Sequence, residues 1–489
     1  MTVQEFIQRA TGGRRLDFSK LFHPALVYQV LFDPFCLWCD FHAPLSEAVD
    51  ETGRYEEIRW LGGIEYEKAW VREHYPDAAH IAPHFGFEAL RKTLQAMVEG
   101  AMAIYEPQLW DLEREMYGKG DLLVRDDTRG SDLGPYHYRL VEIKRARSLQ
   151  DYHVLQAAFY NRMLGRIQGY TPKDMIIALR ETFKTVSYPG GEKELDEIVL
   201  KWKGLRDGTY TPEPGRPPDV TDSPWRVYGN KLVESRKDLV LLNGISAVER
   251  EKLRNAGIQS VDRIWSFRLE EICEILGAQQ GAHAYHVAHA YKTGQPALKP
   301  GCRLTIPRGK RHLYFDFETS NDVHPSEPPH VYVIGCWDQE RDRFVNFLAR
   351  GAADEGRIFA EFLEYVGDAK TTRLYHWADF EIGQMRSVMQ RWPSLEPLLQ
   401  GAISSCVDLK EAIKSAVYLP VPTFSLKNVA PALGFKWRQE GFDPFDSMVC
   451  YWDYLEGKGD HVIYKAILYN EDDCRAMWHV DRELTKQLG

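Results

Sequence analysis

What this chain lacks narrows it first. Across 489 residues, no apolar run is long enough to cross a bilayer as a helix. The opening stretch, Met1 to Arg15, has an acid, Glu5, and no apolar core segment, so it does not read as a secretory signal. The expectation is a cytoplasmic location with no membrane partner. There is no Gly-rich phosphate loop ending in Lys-Ser or Lys-Thr. Any strand unwinding would therefore have to come from a helicase or repair partner.

Cysteine is sparse and scattered. Cys273, Cys302, Cys336, Cys406, Cys450 and Cys474 stand singly in apolar or mixed stretches and read as reduced thiols. Cys36 and Cys39 are paired, with His42 just after. A closed zinc or iron–sulfur site needs four ligands, and no second pair completes this one. Positive charge is short too: 61 Lys and Arg face 71 Asp and Glu, a net charge of −10. That balance argues against a protein that wraps DNA with a basic surface. It leaves room for an enzyme with a local basic groove around clustered metal-binding acids. The length fits two to four domains with sizeable cores.

What is present is acid placed in strands. Leu313-Tyr314-Phe315-Asp316-Phe317-Glu318-Thr319 reads as a buried strand. Asp316 and Glu318 then share one face, and Phe315 and Phe317 the other. Neighbouring carboxylates repel unless a divalent cation lies between them. Two solvated acids at a strand end are the competing reading of this stretch alone. Tyr375 to Glu381 reads as a strand running into a helix. Tyr469 and Asp473 sit at i and i+4 on a later helix. Asp316, Glu318, Glu381 and Asp473 would then converge as the acids of two-metal phosphoryl hydrolysis, with Tyr469 positioning the water.

The order and spacing of these residues resemble the ribonuclease-H-like exonucleases of the DnaQ-like (DEDD) superfamily, tyrosine type. Glu381 takes the place usually held by Asp, and Asp379 is its rival. Phe424-Ser425-Leu426-Lys427-Asn428 resembles a substrate-side motif of this branch. It makes Lys427 a candidate nucleic-acid contact, with a solvated lysine as the alternative. Asp408 resembles a common structural Asp in a buried strand.

The N-terminal half carries a second constellation. Asp121 starts one strand, and Glu142-Ile143-Lys144 sits in the next. Glu142 and Lys144 share a face, while Val141 and Ile143 pack on the other. Asp and Glu can hold a divalent cation, and Lys144 can orient a water or stabilise charge on a phosphate. Gln156 and Tyr160 follow, one helical turn apart. This ordered set resembles the RecB-like branch of the PD-(D/E)xK nucleases. The family's upstream helix corresponds to Gly62-Gly63-Ile64-Glu65-Tyr66-Glu67. Tyr66 stands where many members carry His, which makes Glu67 the candidate metal ligand. Many relatives add an iron–sulfur cluster from one early Cys and three later ones around a Pro-Trp pair. Here Asp222-Ser223-Pro224-Trp225-Arg226-Val227-Tyr228 keeps Pro-Trp without Cys. No iron–sulfur cluster is expected.

The fold class is mixed α/β. The expected organisation is a PD-(D/E)xK restriction-endonuclease-like domain over 1–206 and an extended linker over 207–236. A helical segment over 237–300 follows, read either as helix-hairpin-helix-like, whose backbone amides can hold a phosphate, or as a small spacer bundle. A ribonuclease-H-like domain covers 308–489. In this order the chain resembles bacterial two-domain RecB-like nucleases with a ribonuclease-H-like C-terminal domain. The resemblance implies DNA hydrolysis with Mg²⁺ or Mn²⁺, exonucleolytic on single strands or ends, at two separate sites. The alternatives are an RNA-processing 3′–5′ exonuclease, since nothing here senses a 2′-hydroxyl, or a nucleic-acid-binding scaffold with one or both sites inactive.

Overall fold

The computed structural model describes residues 1–14, 17–49, 53–82, 85–188, 192–214, 223–321, 323 and 328–489. The chain folds as two compact units, Met1–Glu51 with Arg59–Asn230, and Thr52–Ile58 with Lys231–Gly489. Both mix helices and sheets. Among the described residues no helix is long and apolar enough to cross a membrane.

The strands of the first unit are β1 (Ala79–His80), β2 (Ala103–Tyr105), β3 (Gln108–Asp111), β4 (Met116–Lys119), β5 (Leu122–Asp126), β6 (His137–Ile143), β7 (Asp174–Ala178) and β8 (Phe183–Ser187). Six of them form one sheet in the order β1-β2-β5-β6-β7-β8, and β3 and β4 make a separate hairpin. The stretch from Asp174 to Ser187 folds back on itself as the antiparallel pair β7–β8. The helices that matter here are α1 (Val27–Phe32), α2 (Pro34–His42), α3 (Arg54–His74), α4 (Asp151–Gln168) and α5 (Glu192–Asp207).

Side chains alternate along β6 as the pleat requires. Val141 and Ile143 join Leu122, Ala178 and Trp70 in one cluster. Tyr138 and Leu140 join the larger core, where α4 brings Ala157, Phe159 and Met163. Glu142 continues the second face, so it lies fully buried on the side covered by α4. Gly118 on β4 permits the close approach of that helix. A Cβ there would lie 2.6 Å from the Tyr160 ring.

The stretch expected as an extended linker is helical at its far end. α5 runs to Asp207, and α6 (Arg226–Arg236) occupies its far end. Residues 215–222, including Gly215 and Asp222, lie outside the described residues.

The second unit starts with a helical segment: α7 (Ala247–Asn255), α8 (Val261–Ile264), α9 (Leu269–Leu276) and α10 (Ala278–Thr293). The fourth has no apolar stripe to announce it. Its buried side is Gly281, Ala284, Val287, Ala288 and Ala290. Gly281 lets it lie directly on α9, since a Cβ there would meet the Cys273 backbone at 2.4 Å. Asn243 of this segment donates to the carbonyl of Val421 at 2.7 Å, which ties it to the rest of the unit.

The strands of the second unit are β9 (Ala297–Leu298), β10 (Arg311–Ser320), β11 (His330–Asp338), β12 (Arg343–Leu348), β13 (Thr372–His376), β14 (Cys406–Asp408) and β15 (Val417–Tyr418). Five of them form a sheet in the order β12-β11-β10-β13-β14. β10 pairs antiparallel with β11, and β11 with β12. β13 and β14 add in parallel. The helices are α11 (Glu355–Val366), α12 (Phe380–Arg391), α13 (Leu426–Ala432), α14 (Pro444–Leu455) and α15 (Asp460–Leu488).

β10 runs through the centre of this sheet. Leu313, Phe315 and Phe317 pack with Phe359 and Phe362 of α11. Tyr314 packs in the opposite cluster with Cys474, Met477 and Val480 of α15. Asp316 and Glu318 follow Tyr314 on that face, so the fold directs both at α15.

Candidate active sites

In the second unit, Asp316, Glu318 and Asp473 each bring a carboxylate oxygen within 4.8 Å of the other two. They are the one such trio of potential metal ligands among the described residues. Their ionisation reports crowding. Asp316 is raised well above the ordinary carboxylate range, by burial first and then by Asp473, Glu318 and Glu381. Glu318 is pushed up to about 8, by burial and then by Asp473. Burial raises Asp473 as well, against the pull of Lys427. Buried carboxylate oxygens this close form a hard-oxygen donor set, which fits Mg²⁺ or Mn²⁺.

Each acid is held in place. Asp473 Oδ1 accepts from Lys427 Nζ at 2.8 Å and from Trp437 Nε1 at 2.6 Å. The Lys427 ammonium lies 4.1 Å from the ring centres of both Trp437 and Tyr469. Lys427 is therefore engaged with the acid site itself. Tyr469 is buried and also hydrogen-bonds Asp473. Burial first, then the nearby acids, raises its pKa, so its hydroxyl stays protonated and able to donate. Ser447 hydrogen-bonds Glu318, and its oxygen lies 2.6 Å from the Tyr332 hydroxyl.

Asn470 is the residue that sequence reasoning passed over. Its Nδ2 lies 2.8 Å from Asp316 Oδ2 and 3.5 Å from Glu318 Oε1. Opposite Asp316 in the register stands Gly335. A Cβ on Gly335 would lie 1.6 Å from Asn470 Oδ1. The signal was present in the pattern: Asn470 lies one turn before Asp473, on the same helix face. Trp437 sits in a loop without periodicity and left no signal. The neighbouring acids Glu471 and Asp472 turn away to Arg438, which Asp472 meets at 2.7 Å.

Glu381 is buried, outside that trio, with its Oε2 3.7 Å from His376 Nδ1 and without a hydrogen-bond partner. Its charge still raises Asp316. Asp379, its rival, is exposed. Of the two, Glu381 faces the acids. The chain enters α12 through Ala378 at φ 71°, a left-handed conformation that side chains other than glycine adopt at a cost. Asp408 accepts from the N–H groups of Ala378 at 3.2 Å and Glu411 at 3.1 Å, a structural tie at this turn.

In the first unit the six candidates gather. The Ile143 N–H donates to Asp121 Oδ2 at 2.7 Å, and the Asp121 N–H donates to the Glu142 carboxylate. Asp121 lies in the bend just before β5, one residue short of the strand start expected for it. Lys144 Nζ donates to Glu142 Oε2 at 3.0 Å, while Glu142 Oε1 is buried with no partner. Glu142 is pushed up to about 8 by burial and then by Asp121. Glu67 is pushed up to about 7 by burial and Asp121, against a hydrogen bond from Tyr105. Burial alone would lower Lys144; Glu142 and Asp121 outweigh it and keep the ammonium charged. Tyr160 is buried beside Glu142 and Asp121 and hydrogen-bonds Gln156. Glu106 was not anticipated. It bends the chain at φ 57°, receives the Lys119 ammonium at 2.5 Å, and adds negative charge beside Glu67. The orphaned oxygen on Glu142 and the acids around it are chemically suited to a divalent cation, although Glu67, Asp121 and Glu142 do not close into a trio as tight as that of the second unit.

The Cys36 thiol hydrogen-bonds Ser223, next to Pro224 and Trp225, and Trp225 Nε1 donates to Asp40 at 2.7 Å. Burial raises the pKa of both Cys36 and Cys39. A hydroxyl stands where a cluster would need a thiolate, so this donor set does not fit an iron–sulfur cluster.

Residues 313–485 match the family model of the RNase_H superfamily. A search of curated proteins finds no match to the chain. The matched span covers the five-stranded sheet and the residues of the acidic trio. Residues 313–485 therefore form a ribonuclease-H-like domain, consistent with a metal-dependent nuclease acting on nucleic acid.

Proposed function

We propose that the chain is a metal-dependent nuclease that hydrolyses DNA phosphodiester bonds, exonucleolytically on single strands or ends, with two separate sites. The observation that carries this reading is the Asp316–Glu318–Asp473 trio, with ligand oxygens within 4.8 Å of one another. These three would hold Mg²⁺ or Mn²⁺, with Glu381 beside them. The ion, when bound, supplies an activated water and offsets charge on the phosphate. The Tyr469 hydroxyl, its proton donated to Asp473, would position that water by accepting a hydrogen bond from it. Lys427 and Trp437 fix the direction of Asp473.

The N-terminal part, 1–206, is read as a RecB-like PD-(D/E)xK domain, and 237–300 as a helix-hairpin-helix-like segment preceding the nuclease domain of 308–489. Glu67, Asp121 and Glu142 would hold a cation there, and Lys144 would orient water or meet the phosphate charge. Tyr160, hydrogen-bonded by Gln156, would stand beside Glu142 from α4. A helicase or repair partner would supply the unwinding of duplex substrates.

The test is product length on end-labelled single- and double-stranded DNA, beside RNA of the same sequence. Asp316→Ala and Glu142→Ala are compared singly and together. The reading expects each substitution to remove one class of product. Purified protein that leaves every substrate intact with Mn²⁺, yet retards it on a gel, would instead be a binding scaffold. RNA cut in preference to DNA would make it an RNA-processing exonuclease.

A further inference from the structure

We propose that Tyr28, Phe32 and Tyr152 form a platform on which an unpaired nucleobase stacks, next to the Asp121–Lys144 site. The inference rests on the nuclease reading of the first unit and names the form of strand that this site takes. Tyr28 and Phe32 lie one turn apart on α1, and Tyr152 lies in the first turn of α4. Ring centroids are 5.0 Å apart for Tyr28 and Phe32, 5.2 Å for Tyr28 and Tyr152, and 6.5 Å for Phe32 and Tyr152. Phe32 remains 54% exposed. The core does not account for an aromatic ring held in water against two tyrosines.

Tyr28 and Tyr152 line a cavity of about 400 Å³, together with Gln29, Arg59 and Trp225. Its acids are already engaged. Asp33 accepts the Cys36 N–H at 3.3 Å, and Asp40 accepts the Trp225 indole N–H.

The cavity is joined to the acid site by one helix face. Tyr152, Gln156 and Tyr160 follow at steps of four on α4. Tyr160 lies against Glu142 and Asp121, and Gln156 hydrogen-bonds it. The platform is thus about 12 Å along the helix from those acids. The charges of Lys144 and Arg59 both reach the Tyr152 hydroxyl. Aromatic rings flanked by cations, in line with a site built for phosphodiesters, fit a nucleobase attached to its backbone. Every base has a π-face, so stacking is tolerant of sequence. In a duplex those faces are taken by neighbouring bases, so the platform favours single strands.

The experiment uses the full chain carrying Asp316→Ala, to silence the second unit, with Ca²⁺ in place of a catalytic metal. The probes are a single-stranded oligonucleotide containing 2-aminopurine, its duplex, and an abasic strand of equal length. Phe32→Ala should weaken single-strand binding roughly tenfold, the loss of about one stacked base, and abolish quenching of 2-aminopurine. Phe32→Trp should keep both. Duplex and abasic binding should not change. If Phe32→Ala leaves single-strand affinity and quenching intact, or weakens the abasic strand equally, the platform is wrong. Cleavage by the Glu142→Ala variant reports separately on the nuclease reading. Undiminished cleavage there would remove that reading while the stacking result stood on its own.

Discussion

A single amide spans two carboxylates: Asn470 Nδ2 lies 2.8 Å from Asp316 Oδ2 and 3.5 Å from Glu318 Oε1. Without metal, this neutral donor is what separates two acids that repel. Replacing Asn470 with Asp removes the donor and adds a further carboxylate. The expected outcome is loss of cleavage by the C-terminal site and a changed Mn²⁺ affinity, read by titration calorimetry. Wild-type affinity and turnover in Asn470→Asp would show that the amide does not position the acids.

Gly335 should tolerate no side chain. A Cβ there would lie 1.6 Å from Asn470 Oδ1, so Gly335→Ala must displace the amide or bend β11. Overpacking of this kind costs about 1–3 kcal/mol. Thermal melts should show the loss, and C-terminal cleavage should fall more than stability alone explains. Gly118→Ala, against Tyr160, provides the matching substitution in the first unit.

Stability without metal should fall as pH rises. Glu318 and Glu142 are pushed up to about 8 and Glu67 to about 7, all from ordinary values near 4.5. The folded state therefore holds more protons than the unfolded one between roughly pH 4.5 and 8. The stability these groups contribute is full below the lower limit and is lost as pH passes the upper one. A divalent cation would bind the ionised acids, so its stabilising effect should grow over the same window. Melting temperatures across pH 5–8, with chelator and with metal, check both trends. A chelated protein whose melting temperature rises with pH would contradict them.

Lys427 and Trp437 should act through Asp473. Trp437→Phe keeps the ring and removes the indole N–H that Asp473 accepts at 2.6 Å. Charge-assisted hydrogen bonds contribute about 1.5–3 kcal/mol. The expected result is weaker Mn²⁺ binding with strand affinity little changed. If Lys427→Met instead lowers strand affinity and leaves metal affinity alone, its ammonium serves the phosphate backbone.

Much of this was legible in the chain. Alternation along Leu313–Thr319 places Asp316 and Glu318 on one face, and β10 has that pattern. The four-residue step from Tyr469 to Asp473 puts both on one side of α15. Three features were hidden for physical reasons. α10 buries alanine and glycine, so no apolar stripe marks it. Trp437 reaches Asp473 from a loop, where no periodicity links position to direction. Glu106 turns the chain in a left-handed conformation more usual for glycine, and local preference does not foretell that. The choice between Asp379 and Glu381 also needed the turn at Ala378, which leaves one exposed and the other facing the acids.

The Asn470–Asp316 contact joins residues 154 positions apart, and this has a consequence for the chain as it is made. Domains fold as synthesis proceeds, and contacts between distant segments form late. β10 leaves the ribosome well before α15. Until α15 follows, Asp316 and Glu318 have neither the amide that spans them nor the third acid. A nascent chain therefore presents an incomplete acid site, and a divalent cation would find its full set of carboxylates only once the second unit is assembled.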